Sequence, residues 1–469
     1  MISTIADNVL RQINQVQDTV SEALFEPVIR LGVTGLSRSG KTVFITSLVA
    51  NLLDRGRMPH LRAVAEKRIE AVYLQPQPSD TLPRFDFERY LSDMTGKSPH
   101  WPEGTRGISE LRVSFKLRSG GLFGGLRGPR HVHLDIIDYP GEWLLDLGLL
   151  GQSYAQWSAS VLERLQARPE AETYLAKVQN VDASAPHDEV LAQSLAVSFT
   201  QYLNAARAAG YYDCTPGRFL LPGDLAGSPV LTFAPIAGLN GARKSLGREM
   251  ERRYEAYKSK VIAPFFRDHF ARIDRQVVLI DALGAIHAGP QSVQDLSTAM
   301  GAILAAFRPG QNSFLTQIFA GKRVEKILFA ATKADHIHHS EHAKLSAFME
   351  ALLRDASGRA AFKGAQIGAM PIAALRCTTE DTIAQGGVNL NAVRGVLVGT
   401  GKQAALFPGV LPENPAEMIH AAVQRCEKWP QQDFQVMDFA PQANSLRQGD
   451  GPPHIRLDRA AEFLLGDRL

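Results

Sequence analysis

The sequence has few cysteines and no long apolar run. Cys214, Cys377 and Cys426 lie far apart in a chain of 469 residues, and no two of them have the spacing of metal ligands. This pattern argues against a disulfide framework and is typical of a reducing compartment. No stretch approaches the roughly 18 to 20 uninterrupted apolar residues that a membrane-spanning helix needs, and no secretory signal is recognisable. We therefore expect a cytoplasmic protein.

The sequence also lacks an excess of charge of one sign. The 51 Lys and Arg residues are balanced by 48 Asp and Glu residues, so the composition gives no reason to expect a nucleic-acid partner. Apolar residues make up 45% of the chain and charged residues 21%, as in an ordinary globular protein, and the length fits two or three domains. No internal repeat or long low-complexity tract is present.

Short apolar segments alternate with helical ones along much of the chain, which predicts an α/β fold with a mostly parallel sheet covered on both faces. A Gly-rich turn at 119–129 joins the second and third predicted strands, so this hairpin would add one antiparallel edge strand. The predicted strands are Val28–Thr34, Leu111–Leu117, His131–Ile137, Val277–Asp281, Val324–Ala331 and Pro371–Cys377.

Composition divides the chain into five parts. Residues 1–27 predict an N-terminal helix, which we expect to pack on its own domain, because its polar face has too few basic residues to favour membrane contact. Residues 142–271, rich in Ala, Leu, Gln and Glu, predict a mainly helical insertion between two parts of the sheet domain, 28–141 and 272–400. Residues 401–469 predict a C-terminal extension packed on that domain. A hairpin from about residue 390, a helix near 415–429 and a final helix at 458–464 are expected there.

The first motif is Gly35-Leu36-Ser37-Arg38-Ser39-Gly40-Lys41-Thr42, which matches the phosphate-binding pattern G-x-x-x-x-G-K-[ST]. A strand precedes it and an amphipathic helix follows, so successive backbone N–H groups and the helix N-terminus could cradle phosphate oxygens. A Gly/Ser-rich turn that caps a helix is the alternative. The predicted nucleotide-binding residues are Ser37, Arg38, Ser39, Gly40, Lys41, Thr42 and Val43.

The second motif, Asp138-Tyr139-Pro140-Gly141, ends an apolar strand. A carboxylate at the carboxyl end of a strand can lie beside the phosphate loop and hold Mg²⁺, together with the hydroxyl of Thr42. The N–H of Gly141 could then contact the γ-phosphate. Taken alone, D-x-x-G usually marks a turn; its position after the phosphate loop gives it weight.

The third motif, Thr332-Lys333-Ala334-Asp335, follows the apolar strand Ile327–Ala331. The carboxylate of Asp335 can accept hydrogen bonds from N1–H and the N2 amine of guanine, a donor pair that adenine lacks. Lys333 could lie across the base plane while Thr332 tethers the loop. The motif resembles the N/T-K-x-D element of GTPases, and a turn at a helix start is the alternative.

Four further candidates have weaker support. Thr105 precedes the first strand of the hairpin, where a threonine could complete the Mg²⁺ shell, and Arg106 could act as an internal arginine finger or be an ordinary surface residue. Arg376 and Cys377 follow a predicted strand where a loop could touch the base, although they depart from the S-A-K pattern. Alternatives to the threonine are Thr81 and Thr95, which lie farther from the strand.

The residue after the D-x-x-G glycine is Glu142, where many small GTPases have a glutamine that positions water. A carboxylate beside the γ-phosphate would be repelled unless it is protonated or acts through water, so we expect slow intrinsic hydrolysis. The predicted catalytic residues are Lys41, Thr105, Arg106, Gly141 and Glu142, and the predicted metal ligands are Thr42, Thr105 and Asp138.

These three motifs, together with Trp101–Thr105, Asp281–Gly284 and the terminal stretch His454–Gly466, resemble the YcjX family of bacterial P-loop proteins over nearly the whole chain. The resemblance implies a Ras-like GTP-binding domain, a helical insertion similar to that of Gα subunits, and an association with stress.

We therefore expect a protein that binds GTP and GDP with Mg²⁺, hydrolyses GTP slowly, and acts as a conformational switch for a protein effector that the sequence does not identify. An ATPase or small-molecule kinase is one alternative, and a nucleotide-gated scaffold that scarcely hydrolyses is another. A membrane-remodelling machine, or other peripheral contact with a membrane, is an alternative without support in the sequence.

Overall fold

A computed structural model describes residues 26–35, 39–104, 107–118, 130–238, 242–306, 324–358, 365–416, 418–419, 434–443 and 449–469. The predicted N-terminal helix, the turn 119–129 and most of the predicted helix near 415–429 lie outside these ranges. Among the described residues, no helix is both long and apolar enough to cross a membrane.

Seven strands form the main sheet in the order β2-β3-β4-β1-β5-β6-β7, and three further strands form a small antiparallel sheet in the order β10-β9-β8. The strands are β1 (Val28–Gly35), β2 (Ile69–Gln75), β3 (Ser109–Leu117), β4 (Arg130–Asp138), β5 (Arg275–Ile280), β6 (Lys326–Ala331), β7 (Gln366–Pro371), β8 (Thr379–Gln385), β9 (Val388–Val396) and β10 (Gln403–Leu406).

The helices that cover the sheet and border the cleft occur between these strands and at the C-terminus. They are α1 (Lys41–Leu53), α2 (Arg62–Ala65), α3 (Phe87–Thr95), α4 (Gly141–Leu145), α5 (Tyr154–Leu165), α6 (Glu172–Val178), α7 (Glu189–Ala208), α8 (Gly217–Leu220), α9 (Leu246–Tyr257), α10 (Ala263–Asp268), α11 (Ala282–Ala288), α12 (Pro290–Ala306), α13 (His342–Gly358) and α14 (Leu457–Leu465). A π-helical turn, Lys258–Ile262, joins α9 to α10.

Successive residues of the central strands face opposite sides of the sheet. Val277 and Leu279 of β5 pack with α1 and α14, whereas Val278 and Ile280 pack with the insertion and α12. This alternation is the period of two that a strand imposes. Because both faces are covered, the central strand β6 is apolar and buried without interruption from Ile327 to Ala331. The predicted fold class, a Ras-like α/β domain with a helical insertion and a C-terminal extension, is confirmed in architecture.

The antiparallel strand differs from the prediction in its position. β3 pairs antiparallel with β4, as expected from the hairpin, but it also pairs antiparallel with β2 on its other side. β2 is therefore the edge strand, and β3 is second from the edge. β2 is partly exposed, and its sequence lacks the apolar run on which the other strand predictions rested.

The last predicted strand of the main sheet was placed wrongly. Pro371–Cys377 was the expected strand, whereas β7 ends at Pro371. The apolar residues that follow are buried, but Ala373 pairs with Ile455 of the C-terminal extension instead of continuing the ladder to β6. An apolar run therefore indicated burial here without indicating strand pairing.

Residues 142–271 are mainly helical where the structure describes them. They do not form a separate globule, because one hydrophobic cluster contains Trp157 and Phe199 of the insertion together with Val278 and Phe329 of the sheet. The insertion thus forms part of the layer that covers one face of the sheet.

The C-terminal extension covers the opposite face. Leu457, Ala461 and Leu464 of α14 pack beside α1 in the second hydrophobic cluster. Arg275 of β5 donates from Nε to the carbonyl of Leu464 (3.1 Å), and its Nη2 lies 2.8 Å from Oδ2 of Asp467. The chain end is therefore an integral part of the sheet domain.

Candidate functional site

The phosphate-loop motif begins at the carboxyl end of β1, in the middle of the sheet. A Cβ atom at Gly35 would lie 2.1 Å from Oγ of Ser39, so Ser39 lies close against the backbone of Gly35. Gly40 has a φ of 75°, in the left-handed region that favours glycine, and α1 begins at the next residue. The hydroxyl of Ser39 is buried and has no hydrogen-bond partner among the described residues. These features leave polar groups available for an anion at the start of α1.

Lys41 and Asp138 form an ion pair at the base of this loop. Nζ of Lys41 lies 2.7 Å from Oδ1 of Asp138, and both side chains are largely buried. The pair forms because β4 lies beside β1 in parallel, with Asp138 in register with Val33. The carboxyl ends of the two strands therefore meet at one edge of the sheet.

The surroundings of Asp138 fit a hard cation. The residue is fully buried; Oδ1 contacts the Lys41 ammonium, and Oδ2 has no hydrogen-bond partner in the described part of the chain. Thr42, the residue after Lys41, lines the cleft. A carboxylate and a hydroxyl supply oxygen ligands of the kind that Mg²⁺ prefers, and a phosphate would complete the shell.

The third motif, Thr332–Asp335, follows β6 at the same edge of the sheet. Thr332 is tied to β5, since its N–H (2.9 Å) and its hydroxyl (3.3 Å) both donate to the carbonyl of Ile280. Lys333 has a left-handed backbone with a φ of 59°. Its ammonium group contacts the carboxylate of Asp281 at 2.5 Å, and Asp281 also caps α11 by accepting from the N–H of Gly284. The motif is thus anchored at both its backbone and its lysine.

Asp335 is held by the loop that follows β7. Its Oδ2 accepts hydrogen bonds from the N–H of Cys377 (2.8 Å) and from the Cys377 thiol (3.0 Å), and the hydroxyl of Thr378 donates to the Asp335 carbonyl. Burial raises the pKa of the Cys377 thiol well above its usual range, so the thiol stays protonated and can donate. These bonds fix the orientation of the Asp335 carboxylate.

Aromatic residues from three separate parts of the chain line the cleft beside Asp335. The rings of His336 and Phe439 meet edge-on at 5.2 Å, and Trp101 donates from Nε1 to the carbonyl of Phe439 (2.8 Å). Burial lowers the pKa of His336, so its ring is neutral at physiological pH. Asp438 lines the cleft next to Phe439. The arrangement offers flat apolar surface and polar groups together, as a purine site requires.

The segment after Asp138 forms the opposite end of the cleft. Gly141 begins α4, and the next side chain, Glu142, faces the cleft with only 12% of its surface exposed. Arg207 of α7 lines the cleft there too, with its Nη1 3.8 Å from Oε1 of Glu142. The insertion therefore supplies a cation at the end where the phosphate loop lies.

One cleft of about 610 Å³ connects all of these groups, a volume in the range of small-molecule sites. The structure brings the three motifs to one edge of the sheet although they are separated by up to 300 positions in the sequence. The predicted residues that line the cleft are Ser39, Gly40, Lys41, Thr42, Val43, Glu142, Thr332, Lys333, Asp335 and Cys377.

The sequence profile of the YcjX-like family, DUF463, matches residues 29–469, which is almost the whole chain and includes every element of the cleft. The chain belongs to the YcjX-like family.

Two relatives are similar to this YcjX-like chain over nearly its whole length. A protein of Escherichia coli (strain K12), named Ras-like GTPase YcjX, is 38% identical over 457 residues, which cover 94% of this chain and 96% of the relative. A protein of Shewanella oneidensis (strain MR-1) with the same name is 33% identical over 487 aligned positions, which cover 98% of each chain. The family resemblance inferred from the motifs is thereby confirmed.

Some predicted residues of the YcjX-like chain do not line the cleft. Asp138 lies beneath it, next to Lys41, and Gly141 lies between the lining residues Pro140 and Glu142. Arg376 is not among the lining residues; it is oriented along its own loop, and its Nε donates to the carbonyl of Thr378. The predicted residues Ser37, Arg38, Thr105 and Arg106 lie outside the described part of the chain, as does Cys426.

Several residues that line the cleft, or that hold a lining residue as Asp281 holds Lys333, were not predicted as site residues. Asp281 follows a strand at the same sheet edge as Asp138, a position that could have identified it. Arg207 occurs inside an ordinary helical sequence, and Asp438 and Phe439 belong to the C-terminal extension. Nothing in the local sequence marks these three, because only the tertiary fold brings them to the cleft.

Proposed function

We propose that this YcjX-like protein binds GTP and GDP together with Mg²⁺ and hydrolyses GTP slowly. The observation that carries the proposal is that Lys41 and Asp335 line one cleft, with the phosphate loop at one end and an oriented carboxylate at the other. A carboxylate fixed in this way can accept both guanine donors, N1–H and the N2 amine. The names of the two relatives support the same reading.

The phosphate end of the cleft has the groups that phosphoryl transfer needs. Lys41 would leave its ion pair with Asp138 to bind β- and γ-phosphate oxygens, while the N–H groups at the start of α1 hold the same phosphates. Asp138 and the hydroxyl of Thr42 would hold Mg²⁺, directly or through water. When bound, Mg²⁺ would offset the negative charge of the phosphate groups.

The base end of the cleft would give specificity. Asp335, with one oxygen fixed by Cys377, would bind the guanine edge, and Lys333, held by Asp281, would lie along the base. His336, Phe439 and Trp101 would enclose the ring. A purine without the donor pair would leave the buried carboxylate unsatisfied, which is costly.

A switch function is part of the same proposal. The N–H of Gly141 would contact only a γ-phosphate, so α4 and Glu142 would rearrange when that phosphate leaves. The role in bacterial stress that belongs to this proposal follows from the family resemblance. The protein effector would be one that contacts this segment in a single nucleotide state.

Single-turnover phosphate release tests the activity. With the protein in excess over γ-labelled nucleotide and with Mg²⁺ present, we expect phosphate from GTP and none from ATP. Lys41→Ala should abolish release because nucleotide binding is lost, whereas Lys402→Ala, an exposed control, should behave as wild type. Equal release from ATP would favour an ATPase or kinase. Tight GTP binding without release over hours would favour a nucleotide-gated scaffold and refute the hydrolysis.

A further inference from the structure

Arg207 reaches the cleft from the helical insertion. It lies in the last turn of the 20-residue helix α7. Its side chain is 31% exposed and its Nη1 lies 3.8 Å from Oε1 of Glu142. Within the described part of the chain, its guanidinium group makes no hydrogen bond to another residue. An arginine has five N–H donors, and those of Arg207 lie at the lining of the cleft with the long ion pair to Glu142 as their contact among the described residues.

The position of Glu142 relative to Arg207 is fixed by the fold. Behind Glu142, the backbone approaches Gly217 so closely that a Cβ atom there would lie 2.3 Å from the Glu142 carbonyl oxygen. The next residue, Trp143, donates from Nε1 to the carbonyl of Leu221 (3.3 Å), and the Arg218 guanidinium lies 3.3 Å from the centre of its ring. The insertion therefore holds the Glu142 segment from behind while α7 places Arg207 beside it.

Charge explains why an arginine is needed at this point. A γ-phosphate bound by Lys41 would bring negative charge to the end of the cleft where the Glu142 carboxylate already lies. Two like charges in a partly buried site repel each other strongly unless a cation lies between them. The guanidinium group of Arg207 can contact both anions, because its donors form a planar fork.

We propose that Arg207 is the arginine that stabilises the transition state of GTP hydrolysis in this chain, and that Glu142 orients the attacking water. The inference rests on the proposed GTPase function and adds to it a catalytic group from the insertion. When GTP binds, Arg207 donates to the γ-phosphate oxygens while it stays beside Glu142, and the Glu142 carboxylate accepts a hydrogen bond from water.

The reaction is ordinary hydrolysis. The water oxygen forms a bond to the γ-phosphorus, the bond from that phosphorus to the β–γ bridging oxygen breaks, and its electron pair stays on GDP. The proton of the water ends on the released phosphate. Arg207 contributes by neutralising charge that develops on the transferred group and the bridging oxygen, which is where an arginine has its largest effect.

The test compares Arg207→Ala, Arg207→Lys and Arg207→Gln with the control Arg252→Ala. Arg252 lies in the same insertion, is 62% exposed and pairs with Glu249 away from the cleft. We expect each Arg207 variant to lower the single-turnover rate of phosphate release at least about a hundredfold, since arginines in this role accelerate such reactions by about 10³ to 10⁵. GDP affinity should change less than about fivefold, and the control should match wild type.

A second readout separates catalysis from folding. GDP with aluminium fluoride and Mg²⁺ mimics the transferred phosphoryl group, and wild type should form this complex with a fluorescent GDP analogue. The Arg207 variants should bind the analogue but not respond to fluoride, with unchanged urea unfolding midpoints. The inference would be overturned if all three Arg207 variants kept wild-type rates and fluoride responses. It would also be overturned if Arg106→Ala, and none of the Arg207 variants, lost hydrolysis and the fluoride response. Absence of hydrolysis by wild type would instead refute the proposed function.

Discussion

The carboxyl group of Asp146 lies in the interior, one turn after Glu142, which lines the cleft. Oδ2 accepts a hydrogen bond from the Tyr257 hydroxyl (2.5 Å), and Oδ1 accepts one from the N–H of Gly217 (2.8 Å). Burial raises the pKa of Asp146 to about 7. At a pH between about 4 and 7, the folded protein therefore keeps a proton on Asp146 that the unfolded chain, with an ordinary carboxyl pKa, has released.

This raised pKa predicts a stability that depends on pH. The folded state holds more protons than the unfolded state between about pH 4 and pH 7, so the free energy of unfolding decreases as the pH rises through this window. Asp146→Asn should remove this contribution, on the order of a few kcal/mol. Urea unfolding of both proteins at pH 5 and pH 8 measures it. The wild type should lose stability relative to the variant at pH 8, and an equal difference at both pH values would contradict the assignment.

Single residues of the cleft were predictable where a motif defines the chemistry. Lys41, Thr42 and Asp335 belong to patterns in which residue type and spacing are fixed by phosphate or base recognition. Cys377 was predicted to lie near the base, but its two hydrogen bonds to Asp335 depend on how the loop after β7 turns. Asp438 and Arg207 come to the cleft from remote segments, so no local pattern could indicate them.

At the scale of elements, α4 packs against α8 of the insertion as well as against the sheet domain. The backbone at Gly217 approaches the Glu142 carbonyl so closely that a side chain would not fit there. Such a close backbone approach is one reason for glycine at a position whose φ is ordinary. The element expected to respond to the γ-phosphate is therefore packed directly on the helical insertion.

The contact can be tested with a single methyl group. Gly217→Ala would place its Cβ 2.3 Å from the Glu142 carbonyl oxygen, so either α4 or the segment around Gly217 must move. We expect the free energy of unfolding to decrease by about 1 to 3 kcal/mol, the usual cost of overpacking. Gly148→Ala is the matched control, because a Cβ atom there would meet nothing within 4 Å. Equal stability of the two variants in urea unfolding would show that the close approach is absent.

Elements with a strong apolar period were predictable and those at edges were not. β1, β4, β5 and β6 are buried over most of their length, and each contains several large apolar residues. β2 and β8 are partly exposed strands whose mixed sequence gives no clear period, so the sequence did not indicate them. The misplacement of β7 has a different cause, since the buried apolar run after it pairs with the C-terminal extension.

At the scale of the whole molecule, the insertion and the sheet domain are joined by a buried charge cluster as well as by the shared core. Nη2 of Arg168 lies 2.6 Å from Oδ1 of Asp213 and 2.8 Å from Oδ2 of Asp295, which belongs to α12. Nη1 of Arg168 also donates to the hydroxyl of Tyr202 (2.8 Å). One arginine therefore connects the insertion to a helix that packs on the sheet.

Removal of this arginine should weaken the whole molecule. Arg168→Ala would leave the buried carboxyl group of Asp295 without its counter-charge, whereas Asp213 would keep its ion pair with Arg164. Breaking a buried ion pair in this way costs about 3 to 5 kcal/mol. The exposed control Arg252→Ala should change stability by less than about 0.5 kcal/mol. Urea unfolding gives both values. A loss below about 1 kcal/mol for Arg168→Ala would show that the shared apolar core alone joins the two parts.

The division into a sheet domain and an insertion was predicted from composition, whereas the way they pack was not. A helix-rich stretch between strands indicates an insertion, but its apolar residues do not reveal whether they meet each other or the sheet. Here Trp157 and Phe199 share one core with Val278, so exchange of a bound nucleotide would have to occur without separating two independent globules.

The central claim is that one cleft binds a guanine nucleotide through Lys41 at the phosphates and Asp335 at the base. Calorimetric titration of wild type and Asp335→Ala with GDP and with ADP, at equal Mg²⁺, tests it most directly. We expect wild type to prefer GDP strongly, and the variant to lose about 2 to 4 kcal/mol of GDP affinity through two missing hydrogen bonds, with ADP binding little changed. Wild-type binding of ADP that equals or exceeds that of GDP, or an unchanged preference in the variant, would contradict the account.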